Sequence, residues 1–437
     1  MTANQAESTT RTKNVLRNVP PNVYIFALTF YFFTAGLILY LFAMVAGIWL
    51  IPDLIKQQTF RGPSGWTLAH LFVLGWATMI AMGASFQLTQ VLLRTSIYSR
   101  LLGYVHFFVY VLGLLVLSFS FYFAFSAGMA WGGSLVVLGV ILYVCQLAVT
   151  FIRKREWNVY IFGVGFSLID LLVTVGLGLL MGWAMARGWT PPHYEHLFAT
   201  HVWLGIGGWL SGLIITYSFK LLPMFYNSPR RAVGEAYLII GLFQSGVWLQ
   251  VISRWMEWNV LEKLSLMMIL ISLALFVLYA REVRIHSRLR DTKNPGGAVS
   301  IAYRLISLTA ALVLLWILVD LFFPNVPASR TLGEMMVLFL ILGWISATIL
   351  SLLSKIVPFL WWAYRFHTKW EKKSRVLLSD MTADKTMKNW LYAYLAGVVL
   401  VCAAYLFAQP ALATLGQITA VLSAILYIIE LIKVFRF

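Results

Sequence analysis

The side chains of this chain that could do chemistry are few, and most are histidines. His70 stands inside Thr67 to Leu92, TLAHLFVLGWATMIAMGASFQLTQVL, an apolar run long enough to cross a bilayer. An ionisable group at that depth is costly and marks a functional position, and imidazole serves either as a metal ligand or as a proton carrier. His193, Glu195, His196 and His201 fall together in PPHYEHLFATHVWLG. Their spacing is not one helical face, and the prolines make the first part a loop. His193 and His196 are therefore expected at the membrane interface, with His201 about a turn deeper. Asp170 is the carboxylate nearest a bilayer midplane in the first half of the chain. There it must be protonated or partnered: with Glu235 it is a candidate for a proton path, and the alternative is a hydrogen bond between helices. His106 reads as an interfacial histidine bonding a loop carbonyl, and His286 and His367 read as solvated.

The elements that would position these groups are announced by a repeat. Gly75-Trp76, Gly208-Trp209 and Gly343-Trp344 open the segments GWATMIAMGASFQLTQV, GWLSGLIITYSFKLLPM and GWISATILSLLSKIVPF. The second and third copies share Ser211/Ser346, Lys220/Lys355 and Pro223/Pro358 and stand 135 residues apart; the first and second share Ser85-Phe86/Ser218-Phe219 and stand 133 apart. A fixed period signals repeated structural units, here three, each with one marked helix.

With 61% apolar residues, 11% charged residues and a mean hydropathy of +0.82, the composition is that of a polytopic membrane protein. Runs of about 20 apolar residues span a bilayer, and twelve are expected: near 24–51, 66–93, 101–125, 128–152, 158–186, 197–225, 232–253, 259–281, 301–323, 331–361, 388–408 and 411–435. The fold class is thus an all-α membrane domain over 24–437. It comprises four-helix units at about 24–152, 158–281 and 301–435, a tail over 1–23 and a charged connector over 362–387. The net charge of +17 lies in alternate loops: Arg94 and Arg100, Arg153 to Arg155, Arg230-Arg231, Arg281 to Lys293, and Arg365 to Arg375. By the positive-inside rule these loops and both termini are cytoplasmic, in a cell or inner membrane. The charge therefore reports topology, and nucleic acid is not an expected partner. The first 20 residues do not pattern as a cleavable signal peptide. An outer loop from Pro52 to Pro63 is expected before the second helix. Cys145 and Cys402 read as two packed, reduced thiols, too few for a cysteine metal cluster.

Three units of four helices, with marked helices at positions two, six and ten, resemble the large subunit of the heme-copper oxidase superfamily, nearest to its nitric oxide reductase and C-type cytochrome c oxidase branch. The likeness of sequence lies in the marked helices: His70, Gly75 and Ala84-Ser85-Phe86 to Gln90; His201 to Pro223; and Gly343-Trp344 to Pro358. In that family, helices two and ten each give one histidine to a low-spin heme. Another helix-ten histidine holds a second heme, and helices six and seven hold a copper. The resemblance places His70, six residues before its Trp, at the low-spin heme position, and His201, eight before its Trp, at the helix-six copper position. The corresponding helix-ten positions hold Met336 and Leu338, and helix seven offers Val247-Trp248-Leu249-Gln250 where copper histidines would lie. A complete binuclear centre is not encoded.

The site the sequence can still build is a b-type heme on His70 with Met335 or Met336 as second ligand, or a copper on His201 with His196 or a methionine. Against both stands the reading of these groups as satisfied packing residues. The expected function is a single heme or metal used in electron transfer, sensing or respiratory cofactor handling, with a small membrane or cytochrome subunit as partner. The alternatives are a divergent oxidoreductase reducing oxygen or nitric oxide, and a transporter or oxidase-assembly protein without cofactor.

Overall fold

The computed structural model describes residues 21–229, 233–289, 298–323, 327–366, 376 and 378–437. Among these residues all regular structure is helical, and twelve helices are long and apolar enough to cross a membrane. In chain order they are α1 (Pro21–Gln57), α2 (Pro63–Leu93), α3 (Arg100–Tyr122), α4 (Ser126–Lys154), α5 (Val159–Ala186) and α6 (Tyr194–Phe225). They continue as α7 (Val233–Trp255), α8 (Asn259–Ile285), α9 (Val299–Phe322), α10 (Thr331–Arg365), α11 (Asp384–Leu406) and α12 (Pro410–Ile432). The expected spans are met, with one difference at the first. Pro52 lies inside α1, which runs on to Gln57, so the loop before α2 is shorter than its prolines suggest. Pro52 lacks the N–H that would bond the Ile48 carbonyl, so α1 runs on with one backbone bond fewer. His367 and most of the charged connector lie outside the described residues.

Local chemistry sets the boundaries at the face carrying the basic loops. Asn158 caps α5 by accepting from the amides of Tyr160 and Ile161 at 3.0 and 3.1 Å, and Ser99 caps α3 through the Leu102 amide. Arg94 and Arg155 end α2 and α4 in the left-handed conformation, placing positive charge where the helix dipole favours it. Of the two cysteines, Cys402 is packed as expected, whereas Cys145 is exposed on the outer surface of α4. Its position on a lipid-facing stripe cannot be told from a core position when both are apolar.

Burial separates the helices into two layers. In the most apolar stretch of α2, α6 and α10, 78, 61 and 67% of residues are buried, against 28 to 56% in the other nine. The marked helices thus form an inner tripod inside a ring closed by packing of α12 on α1.

Each inner helix widens at its Gly-Trp into a π-helical segment: Leu71–Thr78, Leu204–Ser211 and Phe339–Ile345. Such turns are rare, and they frequently mark functional positions. The three segments touch pairwise, and Trp76, Trp209 and Trp344 are fully buried among them. The hydroxyls of Ser211 and Ser346 each donate to the carbonyl five residues earlier, at 2.7 Å, which accounts for their coincidence in the repeat. Trp209 donates to Thr78 across units at 2.9 Å. Tyr110 and Tyr394 donate to the carbonyls of Leu74 and Leu342, the residues before Gly75 and Gly343.

Candidate functional site

His70 closes the regular helix ahead of the first π segment, and His201 stands three residues before the second. The tripod brings them together: their rings lie 6.1 Å apart between centroids, inclined by 28°. His70 Nδ1 donates to the Trp66 carbonyl at 2.7 Å, and His201 Nδ1 donates to the Thr174 carbonyl of α5 at 2.8 Å. A carbonyl only accepts, so each bond fixes the proton on Nδ1 and leaves the Nε2 lone pair free in the neutral ring. This is the arrangement of metal-ligating histidines, whose second nitrogen donates to a carbonyl or carboxylate. Both residues are partly buried. The Phe121 ring lies 4.5 Å from His70, and Gly178 gives His201 its place on α5, where a methyl group would stand 2.9 Å from Cε1.

A clasp at the face opposite the basic loops joins the units above the pair. Arg61, in the α1–α2 loop, makes two bonds to the Glu195 carboxylate at 2.7 and 2.6 Å and lies over the Phe198 ring at 4.7 Å. The hydrogen bond from Arg61 to the Glu195 carboxylate holds its guanidinium above the ordinary range. In the third unit Tyr405 donates to Glu334 and stacks on Phe60 at 4.9 Å. Beside the clasp a cleft of ≈ 190 Å³ is lined by Trp66, Met181, Met185, Trp189 and Tyr194.

His196, the expected copper partner of His201, is placed elsewhere. His196 Nε2 lies 3.8 Å from Glu257, and its ring meets His193 and Trp255 at 5.8 and 5.6 Å; the ring that meets His201 is that of His70. Met335 and Met336 are buried in the first turns of α10, ahead of its π segment. Gln250 bonds Ser265 and Glu262, so α7 holds a bonded polar group facing α8. Glu235 is exposed in the first turn of α7, at the basic face and outside the bundle interior. Asp170 is fully buried, and its carboxyl has no hydrogen bond.

His106 is a correction. It is fully buried, neither ring nitrogen has a partner, and Phe32, Phe86 and Tyr143 surround it with centroids 5.1 to 5.8 Å away. It is an internal aromatic-cage residue, not an interfacial one bonded to a loop. The helix began at Arg100, so position 106 is nearly two turns in.

Thr174 and Gly178 on α5 and Phe121 on α3 complete the surroundings of the pair, and their sequence context gave no sign of it. Among the described residues no three of His, Cys, Asp and Glu gather into a metal-holding group; the two histidines stand as a pair. The sequence matches no protein-family model and no curated protein.

Proposed function

We propose that this membrane protein uses a heme-copper-oxidase-like scaffold, without the binuclear centre, to hold one metal between His70 and His201 for electron transfer or respiratory cofactor handling. The observation that carries this is the pairing of two neutral imidazoles, each with Nδ1 anchored and Nε2 free. With metal–nitrogen bonds of about 2.0 Å and roughly 1.1 Å from nitrogen to ring centre, two imidazoles in line on one ion stand about 6 Å apart, and at a tetrahedral angle about 5 Å. The observed 6.1 Å matches the in-line case. Two imidazoles without a carboxylate suit copper better than hard cations.

A porphyrin fits this packing less well. Sites for molecules of that size take about 300 to 1,000 Å³, and the cleft near Trp66 has ≈ 190 Å³. The Phe121 ring packs on His70 with centroids 4.5 Å apart. The positive-inside rule supports a cytoplasmic location for the basic face and both termini. An electron-transfer role calls for a donor, of which a small membrane or cytochrome subunit is the natural kind.

The test is metal analysis with a reduced-minus-oxidised visible spectrum on detergent-purified wild type, His70→Ala and His201→Ala. About one copper per chain, falling roughly tenfold or more in either variant, supports the proposal. A b-type band lost only in His70→Ala replaces the ion with a heme, and a colourless, metal-free wild type overturns both.

A further inference from the structure

Along the contact of α5 with α6, polar side chains of one helix stand against glycines of the other at every turn. Thr216 faces Gly163, Ser167 faces Gly212, Asp170 faces Gly208, Thr174 faces Gly205, and His201 faces Gly178. A methyl group on Gly208 would stand 2.6 Å from the Asp170 carboxyl, and one on Gly212 would stand 2.7 Å from Ser167 Oγ. The glycines therefore make room for polar groups to run inside the helix contact. From Gly163 to Gly178 the seam covers 15 residues of α5, about 22 Å at 1.5 Å per residue, or most of a hydrocarbon core.

Not every polar atom on this seam is satisfied by the protein. Asp170 Oδ1 and Oδ2, Thr174 Oγ1, Thr216 Oγ1 and the neighbouring Gln244 Oε1 are buried without a hydrogen bond from the protein. Buried polar atoms of this kind are ordinarily satisfied by ordered water. Ser167 and Gln244 both donate to the Gly208 carbonyl at 3.4 Å, beside the carboxyl. At the basic end of the seam a cleft of ≈ 10 Å³, about one water, is lined by Thr89, Tyr160, Val164 and Tyr217.

Among the described residues no cation pairs with the carboxyl. Trp248 and Gln244 face it from α7 as its nearest donors, short of full hydrogen-bond geometry. The titratable groups of α4 and α6 in the membrane are Tyr143, whose ring lies against Trp209 at 6.1 Å, Cys145, exposed on the outer surface of α4, Tyr217, bonded to Ser85, and His201, farther out along the seam. Between Ser126 and Phe151 of α4, Leu197 and Phe219 of α6, and Ala236 and Ser253 of α7 there is no Lys, Arg or second carboxylate.

We infer that the α5–α6 seam is a proton path from the basic face to the turn beneath His201, with Asp170 as its midway proton carrier. A carboxyl without a countercharge at this depth rests as the neutral acid. It takes a proton from the basic side through Thr216 and Ser167, and releases one toward Thr174 as the carboxyl is reprotonated. The inference stands whether or not a metal occupies the histidine pair.

The experiment is infrared spectroscopy of the purified full chain on transfer from H₂O to D₂O. Wild type is expected to show a carboxylic acid C=O band that is missing in Asp170→Asn and shifts promptly in D₂O. The double variant Ser167→Ala with Thr216→Val, which removes two hydroxyls and adds little volume, is expected to slow that shift at least tenfold. Absence of a band assignable to Asp170, or a shift equally fast in the double variant, overturns the path. Loss of the band on adding sodium, with no change on adding choline, overturns it in favour of a cation site.

Discussion

The first and second units carry the same marked helix, the same Gly-Trp and the same π-helical widening, yet the contact beside them has opposite chemistry. In the first unit Gly75 faces Leu39, Gly83 faces Phe32 and Phe33, and Gly36 faces Ile80 and Met79. In the second, the corresponding contact holds Ser167, Asp170, Thr174 and Thr216. The repeat therefore specifies backbone geometry: close approach, a widened turn and a buried tryptophan. Chemistry is laid over it by residues outside the repeated motif. The third unit makes the point from the other side, since its π segment is formed without a histidine and its Gly343 packs on Phe339.

If that contrast is right, moving the second unit's carboxylate into the first should do the most damage. Leu39→Asp buries an acid against Gly75 and Leu114. It is expected to cost about 3 kcal/mol or more, read as a fall in thermal unfolding temperature in detergent or as lost expression. Next in size is the paired test at the glycines. Gly208→Ala drives a methyl group into the Asp170 carboxyl and is expected to cost about 1–3 kcal/mol. Gly75→Ala, whose Cβ would meet Leu39 at an ordinary 3.4 Å, should cost less than about 1 kcal/mol by the same measurement. Equal losses would break the comparison.

The reverse exchange sharpens it. Asp170→Leu gives the second unit the first unit's side chain and removes an unpartnered buried acid. It is expected to raise stability by about 1–2 kcal/mol while abolishing the carboxyl infrared band. The smallest effects come from the tyrosines that hold the widened turns in the first and third units. Tyr110→Phe and Tyr394→Phe each remove one buried hydrogen bond to an equivalent carbonyl, and each should cost about 1 kcal/mol in thermal unfolding.

Much of the scaffold is legible in the residues because lipid imposes length and apolarity on every span. The alternation of arginine-rich loops and the spacing of three Gly-Trp pairs supplied the rest of the architecture. His70 and His201 stand out in sequence because charge-capable groups are rare at that depth. That they face one another does not: they stand at different distances from their tryptophans, and only the azimuth of α2 against α6 decides whether two rings meet. The π segments left a trace in Ser211 and Ser346, whose hydroxyls serve the wide turn, but a serine in an apolar helix has other uses. Asp170 was visible as an oddity; its room is made by Gly208, 38 residues away on another helix, and pairing of that kind is set by packing. His106 was read too shallow, and Cys145 too deep, for the same reason: apolar neighbours in sequence do not distinguish lipid from core.

The claim on which the account turns is that histidines of two different units share one metal. X-ray absorption at the copper edge of the copper-loaded, purified protein tests it most directly, with His70→Ala and His201→Ala measured alongside. The account predicts two imidazole nitrogens per copper in wild type and one in whatever copper either variant retains. Copper without imidazole scattering, or the same two-imidazole signal in all three proteins, would contradict it.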